Sequence, residues 1–217
     1  MNAKDIGFKL TGIKSLFMHA DDVLAADKLN AARKTPGKKG VAGDDRSPAW
    51  TWKTYLYTDG EHVCMPSQAL MVMLRKGGVE FRTQGKKTLK AESQASVLIV
   101  DEMVKLTTHS GKLVKLADIN DITSEVFEDH IAAAEKLGFV LDVRRAKVGA
   151  AKHVRVRPKF LTGWTLDCVA QVDVDRIPAA TFGDLLAYCG SYVGIGDWRP
   201  SSPQSPGPHG RFTVEML

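Results

Sequence analysis

A period of two in the charge pattern constrains the fold of this chain more than any other feature. Residues 152–160 read KHVRVRPKF, and the alternation sets His153, Arg155, Arg157 and Lys159 against Val154, Val156 and Phe160. A β-strand sends successive side chains to opposite faces, so the pattern predicts a strand with one apolar and one cationic face. Same-face neighbours lie roughly 6.6 Å apart. Cations this close repel unless a polyanion neutralises them, and the pattern therefore points to nucleic acid.

The charge of the chain is modest in total but segregated along the sequence. The 217 residues carry a net charge of +5, enough chain for one domain spanning 1–217. Residues 144–159 hold seven cationic side chains and no carboxylate: Arg144, Arg145, Lys147, Lys152, Arg155, Arg157 and Lys159 among them. Acidic residues gather instead within 118–129. A mixed, solvated surface is the alternative to a binding role for these clusters.

Hydrophobic periodicity predicts an α+β fold with a mainly antiparallel sheet and ferredoxin-like βαβ elements. The expected strands are 8–17 (interrupted at Gly12), 97–106, 139–143, 153–160, 164–174 and 211–216. The expected helices are 67–76 stopped by Gly77 and Gly78, 123–137 capped by Thr123 and ended by Gly138, and 181–192 opened by a capping box at Thr181 and Asp184.

Two polar, basic stretches predict mobile loop insertions, at 27–48 and 82–95. The first contains Lys34, Lys38 and Lys39, and the second contains Lys86 and Lys87. Disordered basic segments commonly become ordered when they bind nucleic acid, so we expect these lysines to contact a nucleic-acid strand.

A glycine-rich segment, residues 194–212, reads GIGDWRPSSPQSPGPHGRF. A dinucleotide site needs a strand before the glycines and a helix after them, whereas here a helix precedes and a strand follows. The glycines of this segment would let its backbone approach another group closely; they are Gly194, Gly196, Gly207 and Gly210. Trp198 would stack on a base, and Arg199 and Arg211 would bind the nucleic-acid strand on either side of it. Alternatively, Trp198 packs on the core and Asp197 pairs with one of these arginines.

A helix, a glycine-rich loop and a short closing strand make residues 164–217 resemble the end of the RAMP superfamily, the ferredoxin-fold RNA-binding proteins of CRISPR systems. The resemblance implies that Gly194, Gly196, Arg199, Gly210 and Arg211 lie in the loop that approaches RNA. It also implies side-by-side assembly along the strand, as a homo-oligomer or filament. This chain departs from the superfamily in the proline-rich filling PSSPQSPGP.

A second resemblance extends over much of the chain. The motifs GIGDWRP…GRF, RVRPKF and LFMHADD are similar to those of an uncharacterised family of bacteriophage proteins. That likeness carries no settled function, and a phage-encoded protein without a signal peptide would be expected in the cytoplasm of the bacterial host.

Catalytic and metal signals are sparse. His19, just after the first expected strand, is a candidate general base, since histidines in that region are catalytic in some RAMP nucleases. His62 and Cys64 would share a strand face, but no second pair completes a zinc site, and Asp21 and Asp22 lack further carboxylates. We expect no metal and no cofactor. Three widely spaced cysteines predict buried thiols in the cytoplasm, and no apolar run is long enough for a membrane span.

The sequence therefore predicts a non-catalytic protein that binds single-stranded RNA or DNA, assembling cooperatively along it. Two alternatives stay open. One is a phage assembly protein that self-associates through its acidic 118–129 and basic 144–159 segments. The other is a RAMP-like, metal-independent endoribonuclease that uses His19.

Overall fold

The structure is a computed structural model that describes residues 2–21, 23–34, 43–83, 85, 87–148 and 151–217. For five of these residues only the backbone is described, namely Arg33, Lys147, Val148, Ala151 and Lys152. The strands are β1 Ala3–Gly12, β2 Leu16–Phe17, β3 Cys64–Pro66, β4 Val97–Ile99, β5 Met103–Thr107, β6 Val140–Val148, β7 Ala151–Phe160, β8 Thr165–Asp173 and β9 Phe212–Met216. The helices are α1 Val23–Lys34, α2 Ser67–Glu80, α3 Lys90–Ala95, α4 Leu116–Asn120, α5 Phe127–Leu137 and α6 Ala179–Tyr188, with a 3₁₀ turn at Thr51–Tyr55 and a π-helical turn at Cys189–Val193.

The fold is α+β with antiparallel strand pairing, as the hydrophobic pattern predicts. The larger sheet has the order β3-β5-β8-β1-β9, and β4 pairs with the far end of β8. Both β8 and β9 are antiparallel to β1, which lies between them, so they run parallel to each other and α6 connects them. The strand expected at 164–174 is confirmed as β8, and its residues Leu166, Cys168, Ala170 and Val172 are all buried.

Helices α2 and α6 cover the apolar face of this sheet. Phe182 of α6 meets Phe8 of β1 edge-on, with ring centroids 5.8 Å apart. The capping box expected at Thr181 is wrong, because α6 begins at Ala179 and no side chain caps it. Pro178 takes the N-cap position instead, where its missing N–H costs no hydrogen bond.

The prediction that Gly77 and Gly78 end helix α2 is also wrong, since the helix continues to Glu80. A Cβ at Gly77 would lie 2.3 Å from Cys189 Sγ, and one at Gly78 would lie 2.2 Å from Ser93 Oγ. These glycines are therefore required for close packing of α2 against the π-helical turn and α3, rather than for termination. Gly138 does end α5 as predicted, in the left-handed conformation with φ +95°.

A smaller sheet, in the order β2-β7-β6, packs on a second, aromatic part of the core. Phe139 stacks on Phe160 with ring centroids 5.2 Å apart, and Trp52 of the 3₁₀ turn lies 5.7 Å from Phe139. Helix α5 lies alongside β6. This packing fixes the end of the β6–β7 hairpin that lies opposite its turn.

The two predicted loop insertions need correction. Within 27–48, residues 27–34 are helical, which agrees with their content of good helix formers (Ala, Leu, Lys and Arg). Asp45 is fully buried, so the end of this stretch is anchored, while Lys38 and Lys39 lie outside the described residues. Within 82–95, residues Lys90–Ala95 form α3, and Arg82 bridges to Thr88. Strand 97–106 is likewise divided into β4 and β5.

In the described part of the chain, no helix is both long enough and apolar enough to cross a bilayer.

Candidate nucleic-acid interface

The cationic strand of the sequence is β7, the central strand of the smaller sheet. Its alternation is confirmed, because Val156 and Phe160 are completely buried while Arg155, Arg157 and Lys159 lie on the other face. That face is not an open ladder of charge, however. The three side chains are only 31%, 14% and 26% exposed, since other segments pack over them.

Three carboxylates from three different segments pair with these cations. Asp45 accepts a hydrogen bond from Arg155 Nη1 at 3.2 Å. Asp142, the residue opposite Arg157 in the register of β6, binds Arg144 and lies 4.0 Å from Lys159 Nζ. Asp197 Oδ2 lies 2.9 Å from Arg157 Nη1, in an ion pair whose atoms are not aligned for a hydrogen bond. Neutralisation by a polyanion is thus not needed to explain how the fold tolerates the cationic strand.

Asp45 anchors the segment that precedes the 3₁₀ turn to the edge of β7. Its backbone N–H donates to Val154 O, and its Oδ2 accepts from both Tyr55 Oη at 3.0 Å and Val156 N at 3.3 Å. Burial, followed by the neighbouring Asp45 charge, raises the pKa of Tyr55 to about 12, so the phenol remains a donor. The buried carboxylate is therefore satisfied by two side chains and one backbone group.

Trp198 joins the glycine-rich loop to the hairpin. Its ring centroid lies 4.9 Å from the guanidinium carbon of Arg144 and 4.4 Å from that of Arg157, within the range of cation–π contacts. Phe17 of β2 packs edge-on against the same ring at 5.0 Å. The backbone of Trp198 has φ +51°, the only positive φ of a non-glycine residue in the described chain. The loop and the hairpin, some forty residues apart in sequence, therefore form one surface.

The loop glycines make close approaches, but to the chain itself. A Cβ at Gly210 would lie 1.8 Å from Ile195 O, one at Gly196 would lie 2.6 Å from Phe17 O, and one at Gly207 would lie 2.5 Å from Trp198 O. Gly194 has φ +68° and donates its N–H to Cys189 O. These close approaches let the loop fold against β2 and against itself.

The two loop arginines hold backbone carbonyls. Arg199 Nη1 donates to Gly196 O at 2.6 Å and its Nε donates to Ser201 Oγ at 3.2 Å, which closes the turn around Trp198. Arg211 Nη1 donates to Ser191 O at 2.6 Å. Neither arginine pairs with Asp197, whose partner is Arg157, so the alternative pairing considered from the sequence is wrong.

Two histidines flank the hairpin and respond to its charge. Burial, and then the neighbouring Arg157, lowers the pKa of His19, whose Nδ1 lies 3.9 Å from Asp197 Oδ2. Burial, and then Arg144 and Lys159, lowers the pKa of His209. His209 Nδ1 also lies within hydrogen-bonding distance of Ser15 Oγ, at 3.0 Å. These lowered pKa values favour the neutral form of both imidazoles near pH 7.

A cavity of about 370 Å³ opens between the glycine-rich loop and helix α2. The residues that line it are His19, Tyr57, Met65, Pro66, Gln68, Ala69, Val72, Ile195, Gly196, Asp197 and Arg199. His19 and Asp197 thus belong both to this cavity and to the surroundings of Arg157. The sequence did not indicate that α2 would face the glycine-rich loop.

The remaining residues that the sequence predicts to contact nucleic acid lie in separate parts of the molecule. Arg145 is exposed on the opposite face of β6 from Arg144. Lys147 and Lys152 face each other in the hairpin register, and Lys34 is exposed at the end of α1. Lys87 pairs with Glu92 at 2.8 Å, in the corner between α2 and α3. Lys86, like Lys38 and Lys39, lies outside the described residues.

Among the described residues there is neither a cluster suited to a metal ion nor an exposed cysteine thiol. No group of three or more His, Cys, Asp or Glu side chains there is placed to hold a metal ion. Cys64, Cys168 and Cys189 are buried free thiols, and burial raises the pKa of each to about 12.

Compared with known proteins, the sequence matches no protein-family model and no curated protein.

Proposed function

We propose that this chain binds single-stranded nucleic acid, RNA or DNA, on the surface formed by the β6–β7 hairpin and the glycine-rich loop. The observation that carries the proposal is the contact of Trp198 with Arg144 and Arg157. An aromatic ring beside two guanidiniums combines base stacking with phosphate attraction, the two interactions on which single-strand binding depends.

The charge of this surface supports the same proposal. Four cationic side chains, Arg144, Arg155, Arg157 and Lys159, lie on this surface, and three carboxylates, Asp45, Asp142 and Asp197, pair with them. One positive charge is left in excess, and after burial the arginines contribute to the lowered pKa values of His19 and His209. An excess of this kind attracts phosphates and makes binding depend on salt.

The topology is in keeping with the ferredoxin-like prediction and with the RAMP resemblance. The unit β8–α6–β9 encloses β1, which is the split β–α–β arrangement. The glycine-rich loop follows α6 and leads into β9, as the resemblance implies. These features support RNA as the first ligand to test.

The test compares two variants that remove equal charge from different surfaces. Arg144→Gln changes the hairpin surface without leaving the buried Asp45 unpaired, a loss that would cost about 3–5 kcal/mol. Lys105→Gln is the matched control at an exposed position elsewhere. Fluorescence anisotropy is measured with single-stranded RNA, single-stranded DNA and duplex DNA over a salt series.

We expect tight single-strand binding by the wild-type protein, with the hairpin variant at least about tenfold weaker at low salt. Each lost phosphate contact should reduce the salt slope by about 0.7. The control should bind as the wild type does. Absence of binding to all three nucleic acids at low salt, or equal losses in both variants, would refute the proposal.

A second candidate function, metal-independent RNA cleavage, is favoured by the surroundings of His19. A neutral imidazole 3.9 Å from the Asp197 carboxylate and near Arg157 can accept a proton from a ribose 2′-hydroxyl. The 2′-oxygen then bonds to phosphorus as the bond to the 5′-oxygen breaks, and the leaving 5′-oxygen takes up a proton from solvent water. The expected product is a 2′,3′-cyclic phosphate, formed in the presence of EDTA, lost in His19→Ala and retained in the control His109→Ala.

A further inference from the structure

We propose that the cavity between the glycine-rich loop and helix α2 binds one unstacked nucleobase of the strand, an inference that rests on the function proposed above. Its volume of about 370 Å³ lies within the range of small-molecule pockets, roughly 300–1,000 Å³. Such pockets are mostly apolar, with a few polar groups that fix the orientation of the ligand.

The cavity has an apolar wall that is open to solvent. Met65 and Ile195 are buried, whereas Val72 on helix α2 is 40% exposed. The residues Leu70, Met73 and Leu74 of the same helix point into the core and are buried. The exposed side chain of Val72 lies beside a polar opening. A planar base covering it would remove apolar surface from water, which stabilises the bound state.

Two polar side chains of the cavity retain unused hydrogen-bonding capacity. Arg199 donates through Nη1 and Nε to Gly196 and Ser201, and its Nη2 donates to no residue in the described part of the chain. The side-chain amide of Gln68 has no hydrogen bond to any described residue and can both donate and accept. Guanidinium and amide groups recognise the edges of unstacked bases.

Aromatic side chains supply a surface for stacking. Tyr57 lines the cavity and is partly buried, and its hydroxyl donates to His19 O at 3.2 Å, which fixes the ring. His19 lines the same opening, and its lowered pKa leaves the imidazole uncharged near pH 7. Stacking of bases on such side chains tolerates any base.

The position of Asp197 connects the cavity to the cationic hairpin. Asp197 lines the cavity, and its carboxylate lies 2.9 Å from Arg157 Nη1 on β7. A base in the cavity therefore leaves its phosphates beside the hairpin cations. The arrangement separates two roles: phosphates bind at the hairpin and one base binds in the cavity.

The experiment measures the base-dependent part of the affinity. Fluorescence anisotropy compares a single-stranded oligonucleotide with an abasic strand of the same length and charge. We expect the wild-type protein to bind the base-containing strand about tenfold more tightly. Val72→Trp, which fills the cavity, should reduce this difference to the part that stacking on Trp198 supplies and leave the affinity for the abasic strand unchanged.

Val79→Trp is the matched control, because Val79 is 47% exposed on the same helix and does not line the cavity. It should retain the difference between the strands. Gln68→Ala, at an exposed position, provides a second cavity variant that should reduce the difference without disturbing the fold. A free nucleoside monophosphate should compete with the base-containing strand and not with the abasic one.

The outcomes separate this inference from the proposed function. If the wild-type protein binds both strands equally, the cavity does not take a base, although strand binding stands. If it binds neither strand, strand binding itself is refuted. If neither Val72→Trp nor Gln68→Ala changes the difference, or if the free nucleotide binds more tightly than the strand, the assignment of the cavity to a base of the strand is overturned.

Discussion

Trp198 occupies a backbone conformation that its side chain disfavours. A non-glycine residue with positive φ is strained, and strained residues tend to persist where surrounding contacts impose them. Here those contacts are the guanidiniums of Arg144 and Arg157 and the ring of Phe17. The strain and the contacts coincide at the residue that joins the loop to the hairpin.

Replacing Trp198 with glycine should therefore lower the free energy of unfolding less than replacing it with alanine. We expect Trp198→Gly to be more stable than Trp198→Ala by about 0.5–1 kcal/mol, because glycine adopts φ +51° without steric cost. Urea unfolding measures the difference. At Trp50, where φ is −82°, the same pair of substitutions should give the opposite order. An alanine variant as stable as the glycine variant at position 198 would contradict the interpretation.

His130 is a fully buried imidazole with a fixed tautomer. Trp52 Nε1–H donates to His130 Nδ1 at 3.0 Å, so the proton of the neutral ring is on Nε2, which donates to Ser124 O at 2.7 Å. Protonation of Nδ1 would break the bond to Trp52. Burial is the main reason that the pKa of His130 is lowered from 6.5.

This lowered pKa predicts that stability falls in mild acid. Below pH 6.5 the unfolded chain takes up a proton at His130 that the folded protein does not, so the free energy of unfolding decreases as the pH falls toward the folded-state pKa. His130→Gln should lose about 1–3 kcal/mol at pH 7.5 and show a weaker pH dependence. His109→Gln, on an exposed position, should keep the wild-type dependence. Urea unfolding at pH 7.5 and 5.5 tests this, and unchanged pH dependence in His130→Gln would contradict it.

The sequence predicted the faces of β7 but not the partners of its cations. Alternation is a local property, so the burial of Val156 and Phe160 was predictable. The partner of Arg155 is Asp45, 110 residues earlier, and no local pattern connects them. Asp142 is different, because it lies two residues before its partner Arg144 on the same strand, where the pairing could have been recognised.

At the scale of elements, the sequence predicts the role of a glycine only where that role depends on the glycine's own backbone conformation. Gly138 ends α5 through its own φ, which the sequence predicts. Gly77 lies in the interior of α2 because Cys189, 112 residues later, packs on the position where a Cβ would be. Helix propensity alone would favour alanine at such a site by up to about 1 kcal/mol.

Gly77→Ala should nevertheless destabilise the protein, by about 1–3 kcal/mol, because its Cβ would lie 2.3 Å from Cys189 Sγ. Adding Cys189→Ala removes that sulfur and should restore most of the loss. In contrast, Gly183→Ala in α6 should be neutral or stabilising, since its nearest neighbour would be Met216 Sδ at 3.5 Å. Thermal unfolding of these variants provides the test, and additive effects of the Gly77 and Cys189 substitutions would exclude direct contact as the cause.

At the scale of the whole molecule, basic and acidic residues occupy different elements. The hairpin is cationic, whereas α4, α5 and the segment between them carry Asp118, Asp121, Glu125, Glu128 and Asp129. If the chain binds single-stranded nucleic acid as proposed, copies aligned along it would attract one another through these oppositely charged elements. The same segregation would also support self-association without nucleic acid, the alternative considered from the sequence.

We expect binding to a long single strand to be cooperative in protein concentration, because neighbouring copies gain both strand and protein contacts. Titration of a long and a short strand, followed by anisotropy, distinguishes this from independent binding. A hyperbolic isotherm on the long strand would argue against assembly along it. Oligomers that persist after nuclease treatment and dissociate in salt would favour self-association instead.

The position of β1 between β8 and β9 has a consequence for how the chain reaches this structure. Phe8 pairs with Cys168 on one side and Met216 on the other, more than two hundred residues later. Closing such long loops is slow, since the entropy cost precedes the gain from contacts. During synthesis, β1 emerges well before β8 and β9, so both of its edges are at first unpaired. The charged and polar residues on its outward side are Asp5, Lys9 and Thr11, and we expect them to disfavour pairing of these open edges with another nascent chain.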